Sequence, residues 1–555
     1  MRITLQRIWS LLLLLVASAS AQAQVPAWRA AAAINNTNAS YSRVRAIAAD
    51  GNGNLFVVGS YYGTIVLGAL PLGYTTGLGT FVAKWNIATN AYVWAQSCGG
   101  SVNTLAVSGT SIYLGGVIWG GPNSFGPYTT ANTIDKGFVA KLTDNGNSGS
   151  FAWVQQLGGD SFAGVQAVAV AGSSVYATGA FNSSTASFGP YALTNASPSY
   201  YTLGELYVAK LTDAGTSTSV AWAQQVAAGQ VGKVGYPRGL AVSGTSVYVT
   251  GLGSGSAFVA KFSDAGSYTW SKTIGGLQVY PASLVARGTD VFVAGQFAGA
   301  TATFGTTTLA QASGSPMYSS DVFVAKLSDS GTDATYGWAL RAGGTSSDSS
   351  AALVASTNGI YVVGGFSSPT ASFGATALTN TSSNIYNKYN AFASRIVETA
   401  TGASFAWALS AGSADGGKAN GVAMSGSALY VVGSLSGTSA SFGNLTVPLL
   451  AGNSVNGVGF LAEISDVALP TRATTPLAED ALYPNPAHGT TTVRVPAGTG
   501  PATLTLVDAL GRTVRTQPAT AGTDNALDLS GLAPGVYALR VQLGEALATR
   551  QVVVE

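Results

Sequence analysis

Phe138-Val139-Ala140-Lys141-Leu142 decides the reading of this chain, because the same five-residue phrase returns along it. Close copies are Phe81-Val82-Ala83-Lys84-Trp85, Tyr207-Val208-Ala209-Lys210-Leu211, Phe258-Val259-Ala260-Lys261-Phe262 and Phe323-Val324-Ala325-Lys326-Leu327. Two degenerate copies follow, Phe392-Ala393-Ser394-Arg395-Ile396 and Phe460-Leu461-Ala462-Glu463-Ile464, making seven at intervals of 51 to 69 residues. A fixed period of this kind marks a repeat architecture.

Each copy has companions in fixed order. Upstream, residues 105–116, 240–251, 284–295, 353–364 and 422–433 are pairs of β-rich runs joined by Gly-containing turns, which read as hairpins. Downstream, an acid stands three places after the Lys position: Asp144, Asp213, Asp264, Asp329, Glu398 and Asp466. An aromatic run follows with Trp94, Trp153, Trp222, Trp270, Trp338 or Trp407. No helical period persists. Each unit therefore reads as four strands, A to D, and the expected fold is all-β: a seven-bladed β-propeller followed by a small Ig-like β-sandwich. The seventh copy has no Trp strand after it, whereas Trp28 stands alone near the N-terminus. Trp28 is thus expected to be the seventh Trp, on an N-terminal strand that closes the last blade.

The Trp series admits two readings, sugar-stacking platforms or packing between blades. Occurrence once per blade favours packing. The repeated acids read as turn formers. The repeated Lys reads as a strand residue whose stem packs and whose amine reaches solvent.

With residues 47–59 (Ile-Ala-Ala-Asp-Gly-Asn-Gly-Asn-Leu-Phe-Val-Val-Gly), the Phe-Val-Ala-Lys-Leu phrase and the later Trp, the chain resembles the bacterial SBBP-type β-propeller repeat family over residues 24–468. Several units depart from it, replacing the Asp-x-x-Gly-Asn turn by Ser-Gly-Thr-Ser, and the seventh has Glu463 for Lys. This resemblance implies an architecture and little chemistry.

The B–C connections are long and vary between units. Most contain a Ser-Phe-Gly or Thr-Phe-Gly step at Phe125, Phe188, Phe304, Phe373 or Phe442, expected to add a small hairpin. Non-repeated aromatics gather there: Tyr61, Tyr62, Tyr74, Trp119, Tyr128, Tyr200, Tyr201, Tyr318, Tyr386 and Tyr389. Of these, Tyr61, Tyr62, Trp119, Tyr200, Tyr201, Tyr318, Tyr386 and Tyr389 are the candidate ligand-binding residues, for a glycan or a protein; loop packing is the competing explanation. Asp50, Asn52 and Asn54 have the oxygen spacing of a calcium loop, but no Glu follows at the required distance, so a hairpin turn is expected.

Composition bounds the chemistry. Only 9% of the 555 residues are charged, with 25 Lys plus Arg against 23 Asp plus Glu, too balanced a chain for a nucleic-acid partner held through phosphates. A single histidine, His488, and a single cysteine, Cys98, exclude a His or Cys metal cluster and a Ser-His-Asp site in the repeats. No metal site and no cofactor is expected. Catalysis would need carboxylates away from the repeated turn, and Asp160, Glu205, Asp321 and Asp415 are the candidates. Arg2 and Arg7, the Leu11–Leu15 run and the small residues to Ala23 read as a signal peptide over 1–23. No other stretch is apolar enough for a bilayer, so the mature chain is expected to carry no integral membrane span.

After the repeats at 24–467 comes a Pro/Thr-rich linker, 468–479, and then a change of composition: Lys disappears. Tyr483-Pro484-Asn485-Pro486, Gly511-Arg512 and Gly535-Val536-Tyr537 occur in order within alternating apolar runs. Residues 480–555 are similar to the type A C-terminal sorting domain of the type IX secretion system. The resemblance implies passage through the periplasm and across the outer membrane, with that machinery as partner and release or surface attachment as outcome. The sequence thus leads to a secreted or surface-displayed binding scaffold. Its rivals are a polysaccharide-active enzyme using propeller carboxylates, and a structural surface protein without a specific small ligand.

Overall fold

The computed structural model describes residues 26–195, 204–226, 234–253, 256–312, 319–383, 388–400, 402–449, 457–465, 482–498, 501–508, 513–543 and 546–555. The chain divides into two compact units, one running Val25–Asp466 and the other including Val467–Glu555. Regular structure among the described residues is β-strand throughout.

In the larger unit the described strands form seven four-stranded antiparallel meanders, the second and sixth continued by the next unit's short hairpin. The second sheet shows the pattern, with A Ser101–Ser108, B Ser111–Ile118, C Lys136–Asp144 and D Gly149–Gly159. Both faces of each sheet are covered by neighbours. The B strands are accordingly apolar without alternation, and Gly359–Phe366 is buried along its whole length. Such packing leaves no space over Gly364, where a Cβ would strike the Ser349 carbonyl and the Phe392 ring. The A strand of each sheet lies against the A strand of the next, and the first sheet returns to the seventh. Val57 and Phe81 of the first sheet share a core with Tyr430, Val432 and Leu461 of the seventh.

The seventh sheet takes its D strand from the other end of the chain. Ala27–Ala33 pairs antiparallel with Val458–Ser465. The register corrects the expectation for Trp28. In the second sheet Lys141 stands opposite Trp153 and Leu142 opposite Phe151. In the seventh, Glu463 stands opposite Ala30, and Trp28 opposite Ile464. Trp28 therefore occupies the Phe151 position, and a small Ala30 fills the Trp position. Its indole meets Phe442 edge-on at 5.2 Å, as Phe151 meets Phe125 at 5.6 Å.

Phe442 and Phe125 belong to the B–C hairpins, which form at each Phe-Gly step, as at Gly121–Phe125 with Tyr128–Asn132. Each hairpin drops its Phe onto the first aromatic of the neighbouring C strand: Phe125 on Phe138, Phe188 on Tyr207, Phe304 on Phe323, Phe373 on Phe392 and Phe442 on Phe460, at 4.5–5.2 Å. Its first strand also pairs with the end of the preceding D strand, as Ala186 does with Gly159.

The repeated Lys and acid behave differently from expectation. Their charged ends join neighbouring sheets. Lys84 reaches Asp144 of the next sheet at 2.7 Å; Lys141–Asp213, Lys210–Asp264 and Lys261–Asp329 follow at 2.6 Å, and Lys326–Glu398 at 2.7 Å. The Trp of the same D strand donates its Nε1–H to the same residue: Trp94 to Asp144 at 2.9 Å, Trp153 to Asp213 at 2.9 Å, Trp270 to Asp329 at 3.0 Å. Trp222 uses the Asp264 carbonyl at 2.9 Å, and Trp338 reaches Glu398 at 3.3 Å. The amines of Lys84, Lys141 and Lys261 are thus buried in a clasp and do not reach solvent. An ammonium taken from water requires such a partner. The acids do also cap their turns, as Asp213 does for the Gly215 amide at 2.9 Å.

The smaller unit has two described sheets around one core. One contains Leu482–Tyr483, Thr490–Arg494 and Asp524–Asp528; the other contains Ala502–Val507, Thr513–Ala519, Gly535–Leu543 and Ala546–Val554. Val493, Leu504, Leu506, Leu527, Leu539 and Val552 meet between them.

Candidate functional site

Among the aromatic candidates, Trp119 is 47% exposed and Tyr62 42% exposed, while Tyr61 is buried. The Tyr61 hydroxyl bonds Ser97 Oγ at 2.8 Å and its ring packs on Phe81. This makes Tyr61 a core residue, because its alternating partner on the strand takes the outer face. Tyr389 is half-buried with the Lys418 amine 3.2 Å above its ring. Tyr200, Tyr201, Tyr318 and Tyr386 lie outside the described residues, as do Gly511 and Arg512 of the tail motif.

Trp119 follows the B strand Ser111–Ile118 on a turn tied from two sides. The Gly120 amide donates to Asp135 Oδ1 at 3.0 Å, and Asn123 Nδ2 donates to the Trp119 carbonyl at 3.0 Å. Gly120 backs onto Thr133. Beside it Asn132, Thr133, Lys136, Gly158, Asp160, Thr185 and others line an open groove of about 590 Å³. A large apolar ring is therefore held outward on rigid backbone next to a polar depression.

The carboxylate candidates separate. Asp160 is exposed in that groove. Asp415 pairs with Lys388 at 2.6 Å. Glu205 holds Oε2 buried without a partner. Asp321 does approach a second acid, Asp348, which sequence reasoning missed although it is the single acid on the described A strands. Both crowd Gly343, whose φ of +140° admits only the bare glycine there. Asp348 accepts from the amides of Ser367, Ser368 and Gly344 and from Ser368 Oγ at 2.7–3.1 Å. Asp321 Oδ2 meets Arg341 at 3.0 Å and the Ala312 amide at 2.7 Å, while its Oδ1 has no partner. Burial, and after its hydrogen bonds the Asp321 charge, push the Asp348 carboxyl up to about 6. Both carboxylates are fully buried, an arrangement that offers no substrate an approach.

Asp50 accepts from the amides of Asn52 and Asn54 at 2.7 and 3.0 Å, and from Asn54 Nδ2 at 2.7 Å; the turn consumes its oxygens. Burial pushes the Cys98 thiol up to about 12.

In the smaller unit the Tyr483-Pro484-Asn485-Pro486 stretch is fastened along its length. The Tyr483 hydroxyl donates to Asp524 at 2.9 Å. Asn485 donates to the Gln551 carbonyl and accepts from the Val553 amide, both at 2.8 Å. The Pro484 carbonyl accepts from Thr491 at 2.8 Å. Gly535 opens a strand opposite Val554, and the Tyr537 hydroxyl returns to the Ala533 carbonyl at 2.8 Å. The motif residues thus pin the first strand of the unit to its last.

Residues 481–555 match the family described as a secretion system C-terminal sorting domain. This domain marks the chain for export through the type IX secretion system, to the outside of the cell and its outer surface. No curated protein matches the chain. Solved structures that it resembles include the Pyrococcus horikoshii acylaminoacyl peptidase, at 8% identity and a TM-score of 0.38, covering 74% of this chain and 52% of that one. A Dyadobacter fermentans protein of unknown function is 10% identical with a TM-score of 0.35, covering 80% of this chain and all of that one. The Malassezia sympodialis allergen Mala s 1 is 12% identical with a TM-score of 0.31, covering 64% and 90%. The chain spans about half the length of the peptidase.

Proposed function

We propose that residues 24–467 form a seven-bladed β-propeller of the SBBP type, and that this propeller is a binding scaffold for a glycan or protein ligand. Export follows from the tail at 480–555, reached through the linker 468–479 after removal of the signal peptide 1–23. The tail is read as an Ig-like sandwich. Seven meanders, adjacent in order, with the N-terminal strand closing the last, support the propeller. The tied turn that exposes Trp119 beside the groove carries the binding reading, since a fixed indole face loses little entropy on stacking against a sugar.

The test is a glycan array probed with the exported chain, its Trp119→Ala variant and its Tyr62→Ala variant. Binding that drops at least about tenfold in Trp119→Ala, about 1.4 kcal/mol, supports the reading; equal binding by Trp119→Ala and the parent, or no binding at all, refutes it. Deleting 480–555 should leave the protein in the periplasm, and surface export without that segment would refute the sorting role.

A further inference from the structure

The described A strands are Asn35–Ala49, Ser101–Ser108, Ala163–Ala171, Val234–Ser243, Val279–Arg287, Asp348–Ser356 and Gly417–Ser425. They carry five basic residues, Arg43, Arg45, Arg238, Arg287 and Lys418, against one acid, Asp348. Arg287 is matched by Asp290 and Glu398. Asp348 is occupied by its serine and glycine donors. Elsewhere the buried lysines of this sparsely charged chain find a carboxylate at 2.6–2.7 Å. Arg43, Arg45 and Lys418 find none among the described residues. Arg43 and Arg45 stand on the first-sheet A strand and Lys418 on that of the seventh, and these two strands lie side by side. Arg43 Nη2 donates to Asn420 Oδ1 at 3.0 Å, and Asn420 is itself fixed by donating to the Val44 carbonyl at 2.8 Å. The Nε groups of both arginines are buried without a partner. The Lys418 stem lies over Gly365, where a Cβ would collide with it, and its amine sits over Tyr389.

These cations also oppose one another. Burial first, and then the Arg43 charge, push the Lys418 amine down to about 8, against a smaller upward pull from the Asp348 carboxylate. The Arg45 guanidinium is lowered by burial and by Arg43. Like charges held together out of water destabilise the fold unless an anion joins them.

We propose that Arg43, Arg45 and Lys418 form an oxyanion site that takes a carboxylate, sulfate or phosphate group of the ligand. This deepens the binding reading above and rests on it. Asn420 holds the Arg43 fork in place, the two unpartnered Nε–H groups supply directed donors, and Tyr389 backs the lysine.

The full chain is titrated by calorimetry with inorganic sulfate, inorganic phosphate and an oligogalacturonate, each at constant ionic strength set with chloride. Saturable binding of at least one probe is expected, with a rise in thermal midpoint. Arg45→Gln and Lys418→Met should weaken it at least tenfold, while Lys272→Gln, which breaks the exposed Lys272–Asp333 pair, should leave it unchanged. Without anion, Arg45→Gln and Lys418→Met should melt no lower than the parent, because each relieves repulsion; a purely structural role would lower both. Tighter binding of the oligogalacturonate assigns the oxyanion to an acidic saccharide, and equal binding assigns it to the free ion. No saturable binding of any probe, unchanged affinity in both variants, or midpoints well below the parent would overturn the proposal. The array reads Trp119 and the titration reads Arg45 and Lys418, so either can fail while the other stands.

Discussion

Replacing Asp329 by Ala should open the clasp between the fourth and fifth sheets and leave Lys261 buried and charged. Asp329 accepts from Lys261 Nζ at 2.6 Å, the Tyr248 hydroxyl at 2.6 Å, the Gly331 amide at 2.9 Å and Trp270 Nε1 at 3.0 Å. Removing one partner of a buried ion pair costs about 3–5 kcal/mol. The larger unit runs to about 440 residues, so its entropy of unfolding near the midpoint is about 0.9 kcal/mol/K. A loss of 3–5 kcal/mol then lowers the midpoint by about 3–5 °C. The double variant Lys261→Met/Asp329→Ala no longer strands the charge, and should recover on the order of 2 kcal/mol relative to the sum of the single losses. Differential scanning calorimetry on the four proteins gives the cycle directly. Strictly additive losses would refute the clasp.

The acid titration supplies a second reading of the same contact. Burial raises the Asp329 carboxyl, but its four donors outweigh that and hold it below the ordinary value. A depressed folded pKa stabilises above the unfolded value and loses that stability as pH falls through the folded one. The gap between parent and Asp329→Ala should therefore be full at neutral pH and shrink below about pH 4. A gap that stays constant into acid would mean the carboxylate charge is not what stabilises the interface.

Asp348 has the opposite sign. Its carboxyl, raised to about 6, favours folding when protonated, so its penalty builds as pH rises from the unfolded value of about 4 and is complete above about 6. Asp321→Asn removes the neighbouring charge and should make the fall in melting temperature between about pH 4 and 6 shallower; an unchanged slope would refute the coupling. Trp28→Ala removes an indole that packs on Phe442 and donates to the Ser410 carbonyl at 3.0 Å. It should lower stability by about 3–5 kcal/mol, measured by denaturant midpoint, and a loss below about 1 kcal/mol would mean that the closing strand is held by its backbone alone.

Periodicity made the strand order legible. Counting Phe-Val-Ala-Lys phrases located the C strands, and the Phe-Gly steps located the hairpins, because both signals repeat in the local chain. What the sequence concealed was pairing between units. Lys141 and Asp213 are 72 residues apart, and reading each unit alone assigns the acid to its own turn. Asp213 does serve that turn, so the local explanation was adequate and the partnership stayed hidden. Trp28 failed for a different reason: every C–D pair carries a bulge at the same place, as between Lys141 and Leu142 and between Trp28 and Ala30, so each D strand offers two aromatic positions two residues apart, and a lone Trp among alanines does not tell which of the two it fills. The seam cations were unreadable as a group because Arg43 and Lys418 lie 375 residues apart and no repeated motif links them.

The two corrections explain each other. In the clasps the indole of one sheet needs an acid on the next, three residues after that sheet's Lys position. The first sheet has Ile87 there, and the seventh has Glu463 in place of Lys. A tryptophan on Ala27–Ala33 at the usual position would have no carboxylate to receive its N–H, and a buried indole N–H left without an acceptor costs about 1–3 kcal/mol. With Ala30 at that position and Trp28 turned to Phe442 and the Ser410 carbonyl, the donor is satisfied within the sixth and seventh sheets. Among the described residues the seam between seventh and first sheets is then joined by apolar packing and the Asn420 hydrogen bonds to Arg43 and Val44, without the ion pair. Arg43 and Arg45 on one A strand of that seam and Lys418 on the other stand where the clasp system supplies no counter-charge, and an incoming anion would meet them outside any clasp.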